Sequence, residues 1–193
     1  MHKHILALAT TAGLSLVSLP AAADEFSQAL SGYYDSQIAA WASDPALVSA
    51  ITAQNAARSG LTQAEIDAMD TEWRAQVGAA DAPAIAPVLN NAAADFLRAR
   101  VAESGGVITE AFTMDANGLN VAATAVTSDM WQGDEEKFTM TYAMGPGATH
   151  LGDVEFDEST QTYQGQISVT ITDPATGAAV GALTIGVNAE ALM

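Results

Sequence analysis

Asp129, Trp131, Gln132, Asp134 and Lys137 crowd into the stretch TSDMWQGDEEKF, residues 127–138. Residues of these types could support several kinds of chemistry. Asp134, Glu135 and Glu136 could supply the acid and base of a carboxylate-driven hydrolysis. The same triplet is also what a helix N-terminus attracts, because negative charge there gains about 0.3–1 kcal/mol per group from the macrodipole. That structural account suffices for two of the three. A Ser/His/Asp arrangement needs a histidine to take the nucleophile's proton. Beyond His2 and His4 the chain holds only His150, and no GxSxG elbow surrounds any serine. His150 therefore reads as a loop or edge-strand residue. No catalytic residue is assigned, and the expectation is a protein that is not an enzyme.

Metal chemistry is the third option. Asp115-Ala116-Asn117-Gly118-Leu119-Asn120 begins like a calcium loop, but such a loop needs glycine at position six and a bidentate glutamate at twelve. Counted from Asp115, those positions hold Asn120 and Val126, so a hairpin turn is the better account. Asp153, Glu155 and Asp157 alternate and read as a solvated stripe, with a weak divalent-cation site as the alternative. There is no cysteine, which excludes disulfides, thiolate metal sites and thiol nucleophiles. No metal ligand and no cofactor is assigned.

A pocket is what remains. Concave ligand sites combine apolar walls with a few fixed polar groups, and an indole in a polar loop needs something to cover. The candidate binding residues are Asp129, Trp131, Gln132, Asp134 and Lys137, Tyr142 just beyond them, and Tyr163 and Gln166 on a neighbouring strand. Trp131 has two open roles, contact with a ligand or sealing of the loop over the core. The pocket face is open too. If Tyr163, Ile167 and Val169 pack on a helix, Gln164, Gln166 and Ser168 turn toward the ligand.

The elements that must hold these groups divide the chain in two. Residues 24–104 are alanine-rich with helical periodicity, and residues 107–193 are rich in threonine, valine and glycine. Phe26, Leu30, Tyr33, Tyr34, Ile38 and Trp41 predict one apolar stripe on a long first helix. Asp44-Pro45 caps a second helix carrying Leu47, Val48 and Ile51, which should stop near Gly60. Thr62 and Glu65 form a capping box for a third, with Ile66, Met69, Trp73 and Val77 inward. A fourth runs through Val88, Ala92, Phe96 and Val101 to Gly105-Gly106. The period then changes to two. VITEAFTMD and LNVAATAVT predict a hairpin about Asp115–Gly118. A helical stretch spans 135–144, and THLGDVEFD, TYQGQISVTIT and AVGALTIGVN supply three more strands. Gly133 and Asp134 should give the tight turn and cap into that helical stretch. The fold class is α+β, an antiparallel sheet of about five strands with helices packed on it.

That order, together with ITEAFTMDANGLNVAAT, TSDMWQGDEEKF, VEFDESTQTYQGQISVTITDPATG and VGALTIGV, resembles the PAS-like extracytoplasmic sensor family called Cache or PDC domains. The run SDMWQGDEEK resembles a stand-alone periplasmic subgroup of single Cache proteins. The resemblance implies a small polar organic ligand held between the sheet and the connection joining its second and third strands, where TSDMWQGDEEKF lies. It also implies a membrane receptor or histidine kinase as partner. Such domains usually sit between two membrane helices ahead of an output domain, and neither is expected here. Many amino-acid-binding relatives place an arginine at this connection; Lys137 lacks that bidentate fork, so amino-acid specificity is not carried over.

Composition sets the surroundings. Six basic residues face 23 acidic ones, a formal charge of −17, which repels nucleic acid and anionic membranes. Residues 1–23 read as a cleavable signal peptide: His2, Lys3 and His4, an apolar run from Ile5 to Leu19, a helix break at Pro20, and Ala21-Ala22-Ala23. The apolar run falls short of the ~20 residues a membrane span needs. The expectation is one periplasmic domain over residues 24–193. A reading of another class is a protein-interaction module without a ligand, in which the first helix pairs with a second copy or with a receptor's helix through an exposed stripe including Tyr33, Tyr34 or Trp41.

Overall fold

In a computed structural model of the protein, residues 20–157 and 162–193 are described. The expected signal peptide lies outside the described residues except for its last four positions. Among the described residues the first helix, α1, covers Pro20–Tyr33. The helix continues through a π turn over Tyr34–Ile38 and a 3₁₀ turn over Ala39–Ser43. Its stripe faces inward: Phe26, Leu30, Ile38 and Trp41 are buried, and Tyr33 and Tyr34 pack half-buried beside them. Trp41 meets Phe96 edge to face at 6.1 Å.

Helix α2 covers Pro45–Ala57, with Asp44 accepting the Ala46 amide at 2.8 Å. Helix α3 covers Gln63–Gln76 behind the complete Thr62–Glu65 capping box. It buries Ile66 and Trp73. Val77 is not inward: it stands past the last turn and is exposed. The expected fourth helix is two, α4 over Ala86–Leu89 and α5 over Ala92–Glu103. Asn91 divides them by taking extended backbone (φ −145°) and accepting the Ala94 amide on its side chain at 2.9 Å. The restart moves the buried face of α5 to Ala93, Ala94 and Leu97, while Ala92 is exposed.

The sheet contains β1 Ile108–Met114, β2 Asn120–Ala123, β3 Thr149–Leu151, β4 Glu155–Asp157, β5 Thr162–Thr172 and β6 Ala179–Asn188. It is antiparallel in the order β2-β1-β6-β5-β3, with β4 also on β5. Six strands replace the expected five because THLGDVEFD is interrupted. Leu151 faces Ile167 and Glu155 faces Gln164, so one extra residue bulges out between them. The segment 135–144 likewise shortens to α6, Glu136–Thr139, and a 3₁₀ turn at Tyr142–Met144. A last turn, α7, covers Ala189–Leu192.

Both faces of the sheet are covered. Ile167, Val169, Ile171, Leu183, Ile185 and Val187 join the buried faces of α1, α2 and α5 in the larger core. Phe112, Met114 and Ala182 join Ile66, Trp73, Val88, Met130 and Phe138 in a second core on the other side. Coverage of both faces explains why β6 reads as a continuous apolar run instead of an alternating one. Gly165 marks the closest approach of α1: a Cβ there would lie 2.6 Å from Phe26 and 3.0 Å from Leu30.

Candidate functional site

The connection from β2 to β3 is held down by α3. Asp70 accepts the backbone amides of Met130 at 2.9 Å and Trp131 at 3.1 Å. The Trp73 indole donates to the Thr127 carbonyl at 2.9 Å. Arg74 bridges Asp70 at 2.7 Å and Asp129 at 3.3 Å. The connection also lies along β2 like a partial strand, with Asn120 N donating to Met130 O at 3.0 Å and Gln132 N to Gly118 O at 2.8 Å. Sequence reasoning assigned Trp73 to the core and gave Asp70 and Arg74 no role. Their i, i+4 spacing on one helix face is the available signal, but nothing local says which loop they reach.

Trp131 lies in this clamped part. Its indole donates to the Asn117 carbonyl at 2.9 Å and stands against Gly118 and Gly133. A Cβ on Gly133 would collide with the ring, so the glycine is required by the indole and not by the turn into α6. Asp134 does not cap that helix either; Glu135 is the N-cap, with no side-chain capping bond. The packing is that of a seal over the hairpin.

Past Gln132 the connection meets a hollow of about 740 Å³. Asp134, Glu135, Glu136 and Lys137 form one wall. Gln164 and Gln166 of β5 and His150 of β3 stand opposite, with Asp153 and Glu155 at the bulge. The apolar face of β5 does pack on α1, so its even-numbered face turns toward this space. Ser168 is the exception among the expected residues, being buried in a hydrogen bond with Thr184 at 3.0 Å.

Charge in the hollow is unbalanced. Lys137 is occupied within its own segment: its Nζ lies 2.9 Å from Glu135, donates to Gln132 Oε1 at 3.2 Å and sits 5.5 Å from the Phe112 ring centre. His150 Nε2 is 3.6 Å from Glu136. The side-chain carboxylates of Asp134, Asp153 and Glu155 accept no hydrogen bond among the described residues. Such a hollow can hold a positively charged or hydrogen-bond-donating molecule by charge-assisted hydrogen bonds. It offers an anion only a lysine that is already engaged.

Of the eight residues singled out, Asp134, Lys137 and Gln166 line the hollow. Gln132 is buried beneath it, with its amide directed at Asp129 and its carbonyl at Lys137. Asp129 belongs to the α3 clamp, and burial, with Glu135 as the next cause, pushes its carboxyl above the usual range against the pull of Arg74. Tyr142 stacks on Phe138 at 5.2 Å. Tyr163 stands on the opposite face of β5, exposed and edge-on to Phe156 at 5.3 Å; its odd register places it on the α1 side with Gly165. Gln164 lines the hollow as the even-numbered face of β5 led one to expect, whereas His150 and Glu155 were missed as lining residues, because only the bulge and the strand pairing bring them to residues 134–137.

No family model matches the chain, and no curated protein matches it. Solved structures do. The sensor domain of the histidine kinase DctB from V. cholerae aligns over 89% of this chain and 55% of that one, at 12% identity and a TM-score of 0.51. The ligand-binding domain of the Campylobacter jejuni chemoreceptor Tlp3 in complex with L-valine aligns over 86% and 64%, at 10% identity and a TM-score of 0.41. That of the Pseudomonas fluorescens chemoreceptor CtaA in complex with L-serine aligns over 65% and 50%, at 12% and 0.34. The chain thus spans about half the length of the DctB structure. What the chain shares with the DctB structure is the fold, an antiparallel sheet behind an N-terminal helix.

Proposed function

We propose that this protein is a periplasmic, sensor-type binding domain that encloses a small polar organic ligand carrying positive charge and does no chemistry on it. The observation behind this reading is the hollow beside β5, where Asp134, Glu136, Asp153 and Glu155 outnumber the cations and Lys137 is already paired. An amine-bearing ligand would replace the lost hydration of these carboxylates with direct hydrogen bonds. Gln164 and Gln166 would fix its orientation. The sensor-domain fold supports a signalling use. Ligand binding would stabilise one arrangement of the segment 134–148 against the sheet, for reading by a membrane receptor or histidine kinase. Among the described residues no helix is long and apolar enough to cross a membrane. The buried stripe of α1 favours this reading over pairing through that helix.

Thermal unfolding of the full chain across a metabolite library tests the proposal. A ligand at about 100 times its Kd should add about 2.7 kcal/mol. Organic amines should raise the Tm, the shift should shrink with added salt as exposed charges are screened, and Asp134→Ala should remove it. Silence from every amine in the library, or a shift that survives Asp134→Ala, would overturn the reading.

A further inference from the structure

A second cavity, about 350 Å³, lies at the opposite edge of the sheet where α2, α3 and α4 meet β2. Trp73, Met69, Met130 and Val88 give it apolar walls, and Arg58 brings a guanidinium to its lining. Arg58 is the C-cap of α2, where positive charge suits the helix dipole. That placement does not satisfy its head group. Nη1 is buried and has no hydrogen-bond partner among the described residues.

The carboxylate whose charge acts on Arg58 is already committed. Asp115 Oδ1 accepts the amides of Asn117 at 2.8 Å and Leu119 at 3.0 Å, and its Oδ2 accepts Gln54 Nε2 at 2.9 Å. Glu72 reaches the cavity rim but is exposed and holds Gln76 at 3.2 Å. Burial without a partner depresses the guanidinium pKa, and Asp115 offsets this only in part. An arginine cannot shed its proton to escape, and a buried charge left unpaired is costly. In a chain carrying 23 acidic residues, a half-buried arginine without an acid partner requires a reason.

We propose that this cavity is a binding site for a small monocarboxylate with a compact apolar body, its carboxylate on Arg58 and its body against Trp73, Met69 and Met130. The chemistry selects this class. A guanidinium fork matches a carboxylate in a bidentate pair, and one cation balances one negative charge, which disfavours phosphates and dicarboxylates. The volume lies near the lower end of the roughly 300–1,000 Å³ range of ligand pockets. This site is independent of the acidic hollow beside β5.

The test is titration of the full chain with benzoate and butyrate, followed by NMR at the Trp73 indole N–H and by calorimetry, with neutral benzamide as control. At least one carboxylate should bind saturably and shift that resonance, and benzamide should be weaker by about tenfold or more, the scale of a hydrogen bond to a charged group. Arg58→Gln should weaken the carboxylate by a similar factor. Ala84→Phe, which fills the cavity and leaves Arg58 in place, should abolish binding. Asp134→Ala in the other hollow should leave it unchanged, so failure of one site is distinguishable from failure of the other. No binding of either carboxylate up to about ten times a millimolar Kd, equal binding of benzamide, or unchanged affinity in Arg58→Gln would overturn the proposal.

Discussion

The two edges of the sheet treat charge in opposite ways. Beside β3 and β4, carboxylates gather around an open hollow and their one lysine is drawn into an internal pair with Glu135. Beside β2, a single half-buried guanidinium lies with Trp73, Met69 and Val88, and its Nη1 has no hydrogen-bond partner among the described residues. Between them runs the connection 124–148, clamped by α3 at its start and bordering the acidic hollow farther on. Exposed carboxylates are solvated by water and cost the fold little, whereas a half-buried cation without a hydrogen-bond partner is costlier until an anion arrives. The β2 edge should therefore be the more tightly coupled to stability.

The sharpest way to break this contrast is to mutate both edges alike. Trp73 is fully buried, joins the second core and binds Thr127 O. Trp73→Ala should lower stability by about 3–5 kcal/mol, measured by urea unfolding. Glu136→Gln, in the acidic hollow on an exposed side chain, should stay within about 0.5 kcal/mol. Similar losses in the two would erase the distinction. The clamp comes next. Asp70→Ala orphans the amides of Met130 and Trp131, at about 1–3 kcal/mol for each group left unsatisfied. Hydrogen exchange of those two amides should quicken, and that of β5 should not. Smaller again is Gly133→Ala. Its Cβ must displace the Trp131 ring, an overpacking cost of about 1–3 kcal/mol, and tryptophan emission should shift to the red as the indole is exposed.

The same contrast explains what the sequence could reveal. Asp134, Glu135, Glu136 and Lys137 are contiguous, so the acidic wall was visible as a charge cluster in a loop. The capping box at Thr62 and the hairpin at Asp115 were visible because each depends on residues within a few positions of one another. The cavity at Arg58 was not, since its walls come from residues 54 to 130 and four separate elements. Which face of β5 borders the hollow, and so where Tyr163 stands relative to it, was left open for a related reason. Alternation tells which residues share a face of β5, but which face looks at a ligand depends on where α1 packs, a fact Gly165 records only once Phe26 and Leu30 are seen against it. The break at Asn91 was hidden because the apolar positions on either side of it fit one continuous helix.

Acidity gives the finest probe, because carboxylates on the two sides of the clamp respond in opposite directions. Burial, Glu135 and Asp70 raise the Asp129 carboxyl, with Arg74 and Lys137 opposing. The folded protein therefore holds this proton more readily than the unfolded chain does, and Asp129 is a liability at neutral pH. As pH falls through its raised value toward the unfolded carboxylate value of about 3.9, the folded state takes up the proton first and gains stability. Glu65 does the reverse: its bonds to Thr62 lower its pKa, so its contribution is present above the unfolded glutamate value of about 4.3 and is lost on further acidification. Urea midpoints measured from pH 7 down to about pH 4 should rise less in Asp129→Asn than in the parent, since the variant has no proton to gain there. Glu65→Gln should be less stable than the parent above the unfolded glutamate value, and the gap should close as pH falls below it. An Asp129→Asn profile parallel to the parent's would mean that this carboxyl is not desolvated, and that the connection is held to α3 less closely than the bonds from Asp70 and Trp73 require.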